Sequence, residues 1–205
     1  MRLEAREVGY RYGKGAWVFR GVSLSLRQGE IIGLMGPSGC GKTTLGRVLS
    51  GYEDPVEGMV TLDGMPLKRK GYQPVQMVFQ HPEKSFNPRW KLRRSISEGW
   101  EPDGRTLQTM GIEFDWLDRW PLELSSGQLQ RAAVVRVLGP GTRFLIADEL
   151  TTMLDPVSQV QIWTSLLEIV RSKPLGMLVI SHDRKLLDRL CDRIIEWKQL
   201  VPDHL

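Results

Sequence analysis

The chain has 205 residues, of which 41% are hydrophobic and 25% are charged. That composition is ordinary for a soluble globular protein, and the length suffices for one domain with a substantial core. No apolar run approaches the roughly 18 residues that a membrane helix needs, and the charged N-terminus lacks the apolar core of a signal peptide. Two cysteines are too few for a disulfide framework, so we expect a reducing, cytoplasmic setting.

A net charge of +4 makes the chain mildly basic. Small basic clusters occur at residues 68–70 and at Lys91, Arg93 and Arg94. Such clusters suit a nucleic-acid or anionic-membrane surface, or they form an ordinary solvated face. Because the chain has no long basic run and no nucleic-acid motif, we favour the solvated face and expect no nucleic-acid partner.

The first predicted elements are strands. From Leu3 to about Leu26, apolar and polar residues alternate around a turn at residues 13–15, which is typical of antiparallel strands. Residues 60–64 predict another short strand that ends in a turn. Between them, residues 30–35 form a short apolar run that predicts a buried strand, and residues 44–50 have the spacing of a helix.

A glycine-rich loop joins that buried strand to that helix. Residues 36–43 fit the template G-x-x-x-x-G-K-[ST], and the order strand, loop, helix is the one a phosphate-binding loop requires. Its backbone N–H groups and the positive end of the helix would hold phosphates, with Lys42 at the β- and γ-phosphates and the Thr43 hydroxyl on Mg²⁺. The alternative is a turn that binds nothing. We expect nucleotide contacts from Gly36, Ser38, Gly39, Cys40, Gly41, Lys42, Thr43 and Thr44.

Two apolar stretches end in a single polar residue. Residues 75–79 precede Gln80, and residues 178–181 precede His182. A lone Gln or His in such a place is usually structural, but two of them beside a nucleotide site favour a functional role. After Gln80, residues 82–124 contain Pro, Trp and Arg with weak helical spacing, which indicates a small helical insert that extends over about residues 82–138.

The segment Leu-Ser-Ser-Gly-Gln at residues 124–128 precedes a predicted helix at 128–138. Ser and Gly at the N-terminus of a helix suit a phosphate that belongs to another molecule. They equally suit an ordinary N-cap, and the spacing alone leaves both interpretations open.

A further apolar strand, predicted at residues 144–148, ends in Asp148 and is followed by Glu149. Beside a phosphate loop, Asp148 can hold Mg²⁺ and Glu149 can orient or deprotonate an attacking water. The alternative is that the two acids only begin a loop. Helices at 156–171 and 184–190 alternate with strands at 177–181 and 193–197, so we predict one α/β domain over residues 1–205 with a mainly parallel sheet covered on both faces.

Taken in order, these motifs resemble the ATP-binding-cassette (ABC) ATPases from about Leu3 to Trp197. Residues 36–43 match the Walker A motif, 124–128 the signature, 144–149 Walker B and 153–155 the D-loop. The resemblance implies a P-loop NTPase core with an N-terminal antiparallel β-subdomain and a small helical insert. The remaining matches are Gln80 for the Q-loop, His182 for the switch histidine, and Tyr12, with Tyr10 as its competitor, for the aromatic residue that stacks on adenine.

The resemblance also assigns roles to residues. It implies that Glu149, His182 and Gln80 are catalytic, and that Thr43, Gln80 and Asp148 bind Mg²⁺. Further nucleotide contacts are implied for Tyr12, Ser125, Ser126, Gly127, Gln128 and Asp155.

The partners implied are a second ABC ATPase subunit packed head to tail around two ATP molecules, integral membrane permease subunits and a solute-binding protein. The chain would then lie at the cytoplasmic face of the membrane. Residues 75–88 look most like the peptide and nickel importers, which suggests import of peptides, nickel or metal–chelator complexes. Two alternatives are a soluble ABC ATPase of repair, translation or an enzyme complex, and a P-loop nucleotide kinase, which would not explain the signature or His182.

Three residues depart from the family pattern. Ser126 replaces the second glycine of the signature, Leu150 the proline after Glu149, and Met153 a small residue of the D-loop. Because glycine permits positive φ and close approach, Ser126 predicts an impaired ATP site and a different cassette as partner. The alternative is that Ser126 faces solvent and its hydroxyl caps the following helix.

Overall fold

The computed structural model describes residues 1–67 and 70–201. Two members of the predicted basic cluster at 68–70, Lys68 and Arg69, lie outside the described residues. The described chain divides into two compact units. The first unit holds residues 1–77, 143–148 and those from 174 onward, and the second unit holds 78–142 and 149–173. The prediction of one domain over 1–205 with an insert at about 82–138 stays a prediction.

The first unit opens with an antiparallel sheet, as the alternation of residues 3–26 predicted. Leu3, Ala5, Val8 and the other apolar residues of its first strand face inward and are buried. The strands are β1 (Arg2–Arg11), β2 (Trp17–Arg27), β4 (Glu57–Leu62) and β5 (Met65–Pro66), in the order β2-β1-β4-β5.

A second sheet of the first unit has five strands. They are β3 (Ile31–Met35), β6 (Val75–Val78), β7 (Phe144–Asp148), β8 (Gly176–Ile180) and β9 (Arg193–Glu196), in the order β6-β7-β8-β3-β9. From β7 to β9 in that order, neighbouring strands pair in parallel. All residues of β7 and β8 are buried, which explains why both read as unbroken apolar runs rather than alternating ones.

Strand register aligns the ends of the central strands. Ile180 pairs in register with Asp148 on β7, and the same β8 residue pairs with Leu34 on β3. The segments that follow these strands therefore leave the sheet at one edge, where open α/β sheets bind their ligands. The helices of this unit are α1 (Lys42–Leu49), α6 (Arg184–Leu190) and α7 (Trp197–Leu200).

The second unit is helical in its described parts. Its helices are α2 (Leu92–Ile96), α3 (Gly104–Thr109), α4 (Ser126–Val137) and α5 (Pro156–Ser172), with 3₁₀ turns at Pro82–Ser85, Phe114–Asp118 and Pro121–Glu123. Apart from α4, the elements within the range predicted for the insert are only three to six residues long, and a proline begins two of the 3₁₀ turns. Helix α3 begins at a side-chain cap, in which an Asp103 carboxylate oxygen accepts from the Thr106 N–H at 2.6 Å.

The basic residues predicted around Lys91 lie on the surface of the second unit. The Arg94 guanidinium lies 3.9 Å from the centre of the Trp90 ring, and an Arg93 nitrogen lies 3.8 Å from an Asp118 carboxylate oxygen. These cations are therefore engaged with neighbouring side chains of their own unit. Among the helices of residues 1–67 and 70–201, none is both long enough and apolar enough to cross a membrane.

Candidate nucleotide-binding and hydrolytic site

The phosphate loop connects β3 to α1, and tertiary contacts fix its glycines. Gly41 is the N-cap of α1 with φ of 114°, a value in the left-handed region that favours glycine. At Gly36, an added Cβ would lie only 2.7 Å from the Cβ of Trp197. Trp197 is thus packed against the loop. The sequence did not predict this contact. It predicted Trp197 only as the last residue of a strand at 193–197.

Lys42 places a buried cation inside this loop. Its side chain is only 6% exposed. Its Nζ donates to the carbonyl oxygens of Gly36 and Pro37, at 2.7 Å each. A fixed ammonium group beside glycines at the N-terminus of a helix is an arrangement that binds anions, and a triphosphate is the anion that this motif takes.

The two candidate tyrosines have different surroundings. Tyr10 is 6% exposed and its hydroxyl donates to Glu53 Oε2 at 2.7 Å, whereas Tyr12 is 52% exposed. The rings meet edge to face with centroids 5.1 Å apart, and the Tyr12 hydroxyl lies 3.2 Å from the Thr44 hydroxyl next to the phosphate loop. This geometry favours Tyr12 as the residue with a ring face available for adenine.

Asp148 and His182 lie at the same edge of the parallel sheet as the phosphate loop. Asp148 ends β7 and is 2% exposed. Ser181 follows β8, and its N–H donates to the Leu34 carbonyl at 3.2 Å, which ties this end of β8 to β3. His182 comes next and is exposed, just ahead of Asp183, which caps α6. The first unit therefore brings together, at one edge, three of the elements that the sequence predicted.

Gln80, Glu149 and Asp155 belong to the second unit. Gln80 is half-buried ahead of the 3₁₀ turn at Pro82–Ser85. Glu149 has φ of 48°, and its Oε2 accepts a 2.6 Å hydrogen bond from the Thr152 hydroxyl. Asp155 is the N-cap of α5, and hydrogen bonds, first from the Ser158 side chain, lower the pKa of its carboxyl.

The signature segment forms the start of α4. Ser125 is the N-cap, because its Oγ accepts from the Gln128 N–H at 3.3 Å, while Gln128 Oε1 accepts from the Ser125 N–H at 2.9 Å. This reciprocal pair is a capping box. Ser126 is the exposed first residue of the helix, and neither it nor Gly127 has positive φ.

Both explanations offered for Ser126 need correction. The requirement for positive φ is wrong, because the residue has helical backbone angles that serine adopts without strain. The alternative, that its hydroxyl caps the helix, is also wrong, because Ser125 supplies the cap. Only the closeness of its Cβ to a phosphate remains as a ground for an impaired site, and the choice between identical and different cassette partners stays a prediction.

The other two departures from the family pattern have opposite surroundings. Leu150 is 3% exposed and so replaces the expected proline with a buried apolar anchor. Met153 is 63% exposed on the loop before α5. Both residues lie between the end of β7 and the start of α5.

Two oxygen donors of the first unit are of the kind that could hold a magnesium ion together with a nucleotide. Asp148 supplies a carboxylate and Thr43 a hydroxyl, and both are hard ligands of the kind that Mg²⁺ prefers. Within residues 1–67 and 70–201, no group of three or more His, Cys, Asp or Glu side chains could hold a metal by itself. Phosphate oxygens would complete such a site, as is usual for Mg²⁺ in nucleotide-binding proteins.

The profile of a protein family described as ABC transporter matches residues 19–152 of this chain. The chain belongs to the ABC transporter family. The matched span contains the phosphate loop, Gln80, the signature segment and the strand that ends in Asp148. The ABC chain is therefore an ATP-binding and ATP-hydrolysing cassette of a transporter, as the motifs predicted, and the soluble alternative is not supported.

Curated proteins similar to this chain are also named as ATP-binding proteins of transport or import systems. YkfD of Bacillus subtilis (strain 168), named as a putative oligopeptide transport ATP-binding protein, is 36% identical over 194 residues. That match covers 85% of the ABC chain and 59% of YkfD, so the chain spans less than two thirds of this relative. The nickel import ATP-binding protein NikE of Pseudomonas putida is 35% identical over 220 residues, covering 94% of the chain and 81% of NikE. NikE of Escherichia coli (strain K12) is 34% identical over 197 residues, covering 87% of the chain and 74% of NikE.

Solved structures confirm the fold. The dimeric ATP-binding cassette MJ0796, in a post-hydrolysis state bound to ADP and Pi, superposes with a TM-score of 0.80 at 23% identity, covering 95% of the ABC chain and 93% of that chain. The cbiO1 protein of Clostridium perfringens, part of the transporter complex cbiONQ, gives a TM-score of 0.79 at 25% identity, covering 95% and 83%. The predicted ABC ATPase fold is therefore confirmed.

Proposed function

We propose that this ABC ATPase binds Mg²⁺–ATP at its phosphate loop and uses hydrolysis to drive a membrane importer of peptides, nickel or metal–chelator complexes. The observation that carries the proposal is the buried Lys42 ammonium, held inside the phosphate loop at the sheet edge where Asp148 ends β7. This cation and the loop N–H groups favour an anion, and the nearby carboxylate could bind a metal ion that accompanies it.

ATP binding follows from these groups. The loop N–H groups and Lys42 would hold the β- and γ-phosphates, and the ring of Tyr12 would stack on adenine. Thr43, Asp148 and Gln80 would hold Mg²⁺ through a hydroxyl, a carboxylate and an amide oxygen. When bound, the ion neutralises charge on the phosphates.

Hydrolysis would use Glu149 as the general base. Its carboxylate would take a proton from a water molecule, whose oxygen attacks the γ-phosphorus. The bond from that phosphorus to the bridging oxygen breaks, and its electron pair leaves with ADP, so that the products are ADP and inorganic phosphate. His182 would contact the γ-phosphate and Gln80 would orient the attacking water.

A second cassette would complete the site. In the proposed head-to-tail pair, the partner's signature segment approaches the γ-phosphate, so this chain offers its own segment to the partner's ATP. The proposed contacts from this chain are Ser125, Ser126, Gly127, Gln128 and Asp155. The dimeric state of the related cassette MJ0796 supports this arrangement.

Import is supported by the relatives. The names of YkfD and of the NikE proteins assign those proteins to oligopeptide transport and nickel import. The proposed partners of this chain are accordingly permease subunits in the membrane and a solute-binding protein, with the ATPase at the cytoplasmic face. Co-purification with an integral membrane protein tests this part, and recovery only with a soluble partner would contradict it.

The phosphate-binding role is tested by Lys42→Ala. Loss of a cation aimed at two phosphates should weaken ATP binding by more than tenfold, or about 1.4 kcal/mol. Isothermal titration with ATP and Mg²⁺ measures it. The exposed Lys91, changed to Ala in the same way, is the control and should leave the affinity unchanged. Equal affinities for the two variants would contradict the proposal.

A further inference from the structure

The loop from Glu149 to Asp155 is fastened at both ends within the second unit. Near its start, the Trp163 indole N–H donates to the Thr151 hydroxyl at 3.0 Å, and both residues are buried. At its end, Asp155 accepts from the N–H groups of α5 at 3.0 Å. A loop fixed in this way can hold a side chain in one orientation.

Within this loop, Thr152 contacts Glu149 twice. The Thr152 hydroxyl donates to Glu149 Oε2 at 2.6 Å, and the Thr152 N–H donates to the Glu149 carbonyl at 3.3 Å. Glu149 meanwhile has φ of 48°, a left-handed conformation that is uncommon for residues other than glycine. Such a conformation persists only where the surroundings enforce it, and it is most frequent at functional sites.

We propose that Thr152 is a positioning residue, which fixes the Glu149 carboxylate so that this group can take a proton from the attacking water. The inference rests on the proposed role of Glu149 as general base. By donating to Oε2, the Thr152 hydroxyl sets the rotation of the Glu149 carboxylate. Misplacement of a reacting group by about 1 Å can slow a reaction on the order of 100-fold, so one hydrogen bond at this point has a large effect on rate.

The test compares three variants of the full chain, each with one threonine replaced. If the chain is active only within a transporter complex, the variants are assayed in that complex. Thr152→Val keeps the shape and removes the hydroxyl, and we expect kcat for ATP to fall at least ~10-fold with KM changed less than about twofold. Thr152→Ser restores the hydroxyl and should recover most of kcat. Thr164→Val is the control, because that exposed hydroxyl donates to the Val160 carbonyl within α5, away from the loop.

A purely structural role would give a different result. It would lower the melting temperature, as we expect for Thr151→Val, which breaks the buried bond to Trp163. Thr152 is exposed, so its valine variant should melt near the wild-type temperature while kcat falls. An unchanged or raised kcat for Thr152→Val, or a loss that Thr152→Ser does not recover, would overturn the inference.

A double mutant separates this inference from the base assignment. If Thr152 acts through Glu149, then adding Thr152→Val to Glu149→Gln should slow turnover no further than Glu149→Gln alone. A slower double mutant would mean that Thr152 acts elsewhere and would overturn the inference only. Near-normal turnover of Glu149→Gln would instead refute the base assignment, and the positioning role with it.

Discussion

At the scale of single residues, the groups of the candidate site are held in place by backbone and side-chain contacts with their neighbours. Lys42 is bound by two loop carbonyls, and Trp197 packs against the glycines of the same loop. The rings of Tyr12 and Tyr10 meet edge to face, and the Tyr10 hydroxyl donates to Glu53. The cation, the loop and the aromatic ring are therefore arranged before nucleotide arrives, which reduces the entropy lost on binding.

The free energy of unfolding should depend on pH through the Tyr10 hydroxyl. Its hydrogen bond to Glu53, and then its burial, raise the pKa of the Tyr10 hydroxyl to about 12 from 10.0. Since the folded chain holds this proton more tightly than the unfolded chain, the stability from this bond is complete below about pH 10 and is lost as the pH rises towards about 12. The gap in unfolding free energy between wild type and Tyr10→Phe should thus be constant from about pH 7 to pH 9 and shrink above about pH 10.

Urea unfolding at several pH values measures that gap. The comparison with Tyr10→Phe cancels the contribution of other titrating groups to the pH dependence of stability. Only the Tyr10 hydroxyl differs between the two chains. A gap that stays constant up to about pH 11 would show that the hydrogen bond does not couple to folding.

At the scale of elements, helix α4 combines a capping box with the signature segment. Ser125 and Gln128 satisfy each other's backbone N–H groups, so the N-terminus of the helix is formed without a ligand. The following residue, Ser126, has ordinary helical angles and an exposed side chain. The serine is therefore compatible with the helical backbone at this position.

This assignment predicts different effects for two neighbouring serines. Ser125→Ala removes the cap and should lower the unfolding free energy by about 1 kcal/mol. Ser126→Gly relieves no strain and should lower it by less than about 1 kcal/mol, through the flexibility of glycine, without raising the ATPase rate. Chemical denaturation and a steady-state ATPase assay measure both effects. A Ser126→Gly chain that hydrolyses ATP several-fold faster would contradict this expectation and support the remaining ground for an impaired site, the closeness of the Ser126 Cβ to a phosphate.

Elements with a strong periodic pattern were predictable from the sequence, and contacts between distant segments were not. The strand at 144–148 was predicted with its observed bounds, and the helix predicted at 156–171 ends one residue later at Ser172. In the insert, the cap at Asp103 and the short helix α3 were missed, because six residues are too few to establish a helical period. The contact of Trp197 with Gly36 depends on how β9 pairs with β3, which no local pattern encodes.

The candidate site was predictable to a similar extent. The residues of the phosphate loop, Asp148 and His182 could be identified from motifs, because each follows an apolar strand. The left-handed backbone of Glu149 and its bond to Thr152 could not, since both depend on how the loop is fastened to α5. The error at Ser126 had a different origin: a glycine in a motif was taken to require positive φ, although the position is helical.

At the scale of the whole molecule, the chain is a transporter cassette whose two units each supply part of the proposed chemistry. The first unit carries the phosphate loop, Asp148 and His182, and the second carries Gln80, Glu149 and the signature segment. On this account, ATP binding depends on the first set of residues and the chemical step on Glu149. The two activities should therefore be separable by mutation.

Glu149→Gln tests this central claim most directly, because it removes the base and keeps the shape of the side chain. ATP affinity, measured by titration, should stay within about twofold of wild type, since binding depends on Lys42 and the loop. The rate of phosphate release in a single turnover should fall at least about 100-fold, the usual scale for a general base. A variant that binds ATP normally and still releases phosphate at a near-normal rate would contradict the account.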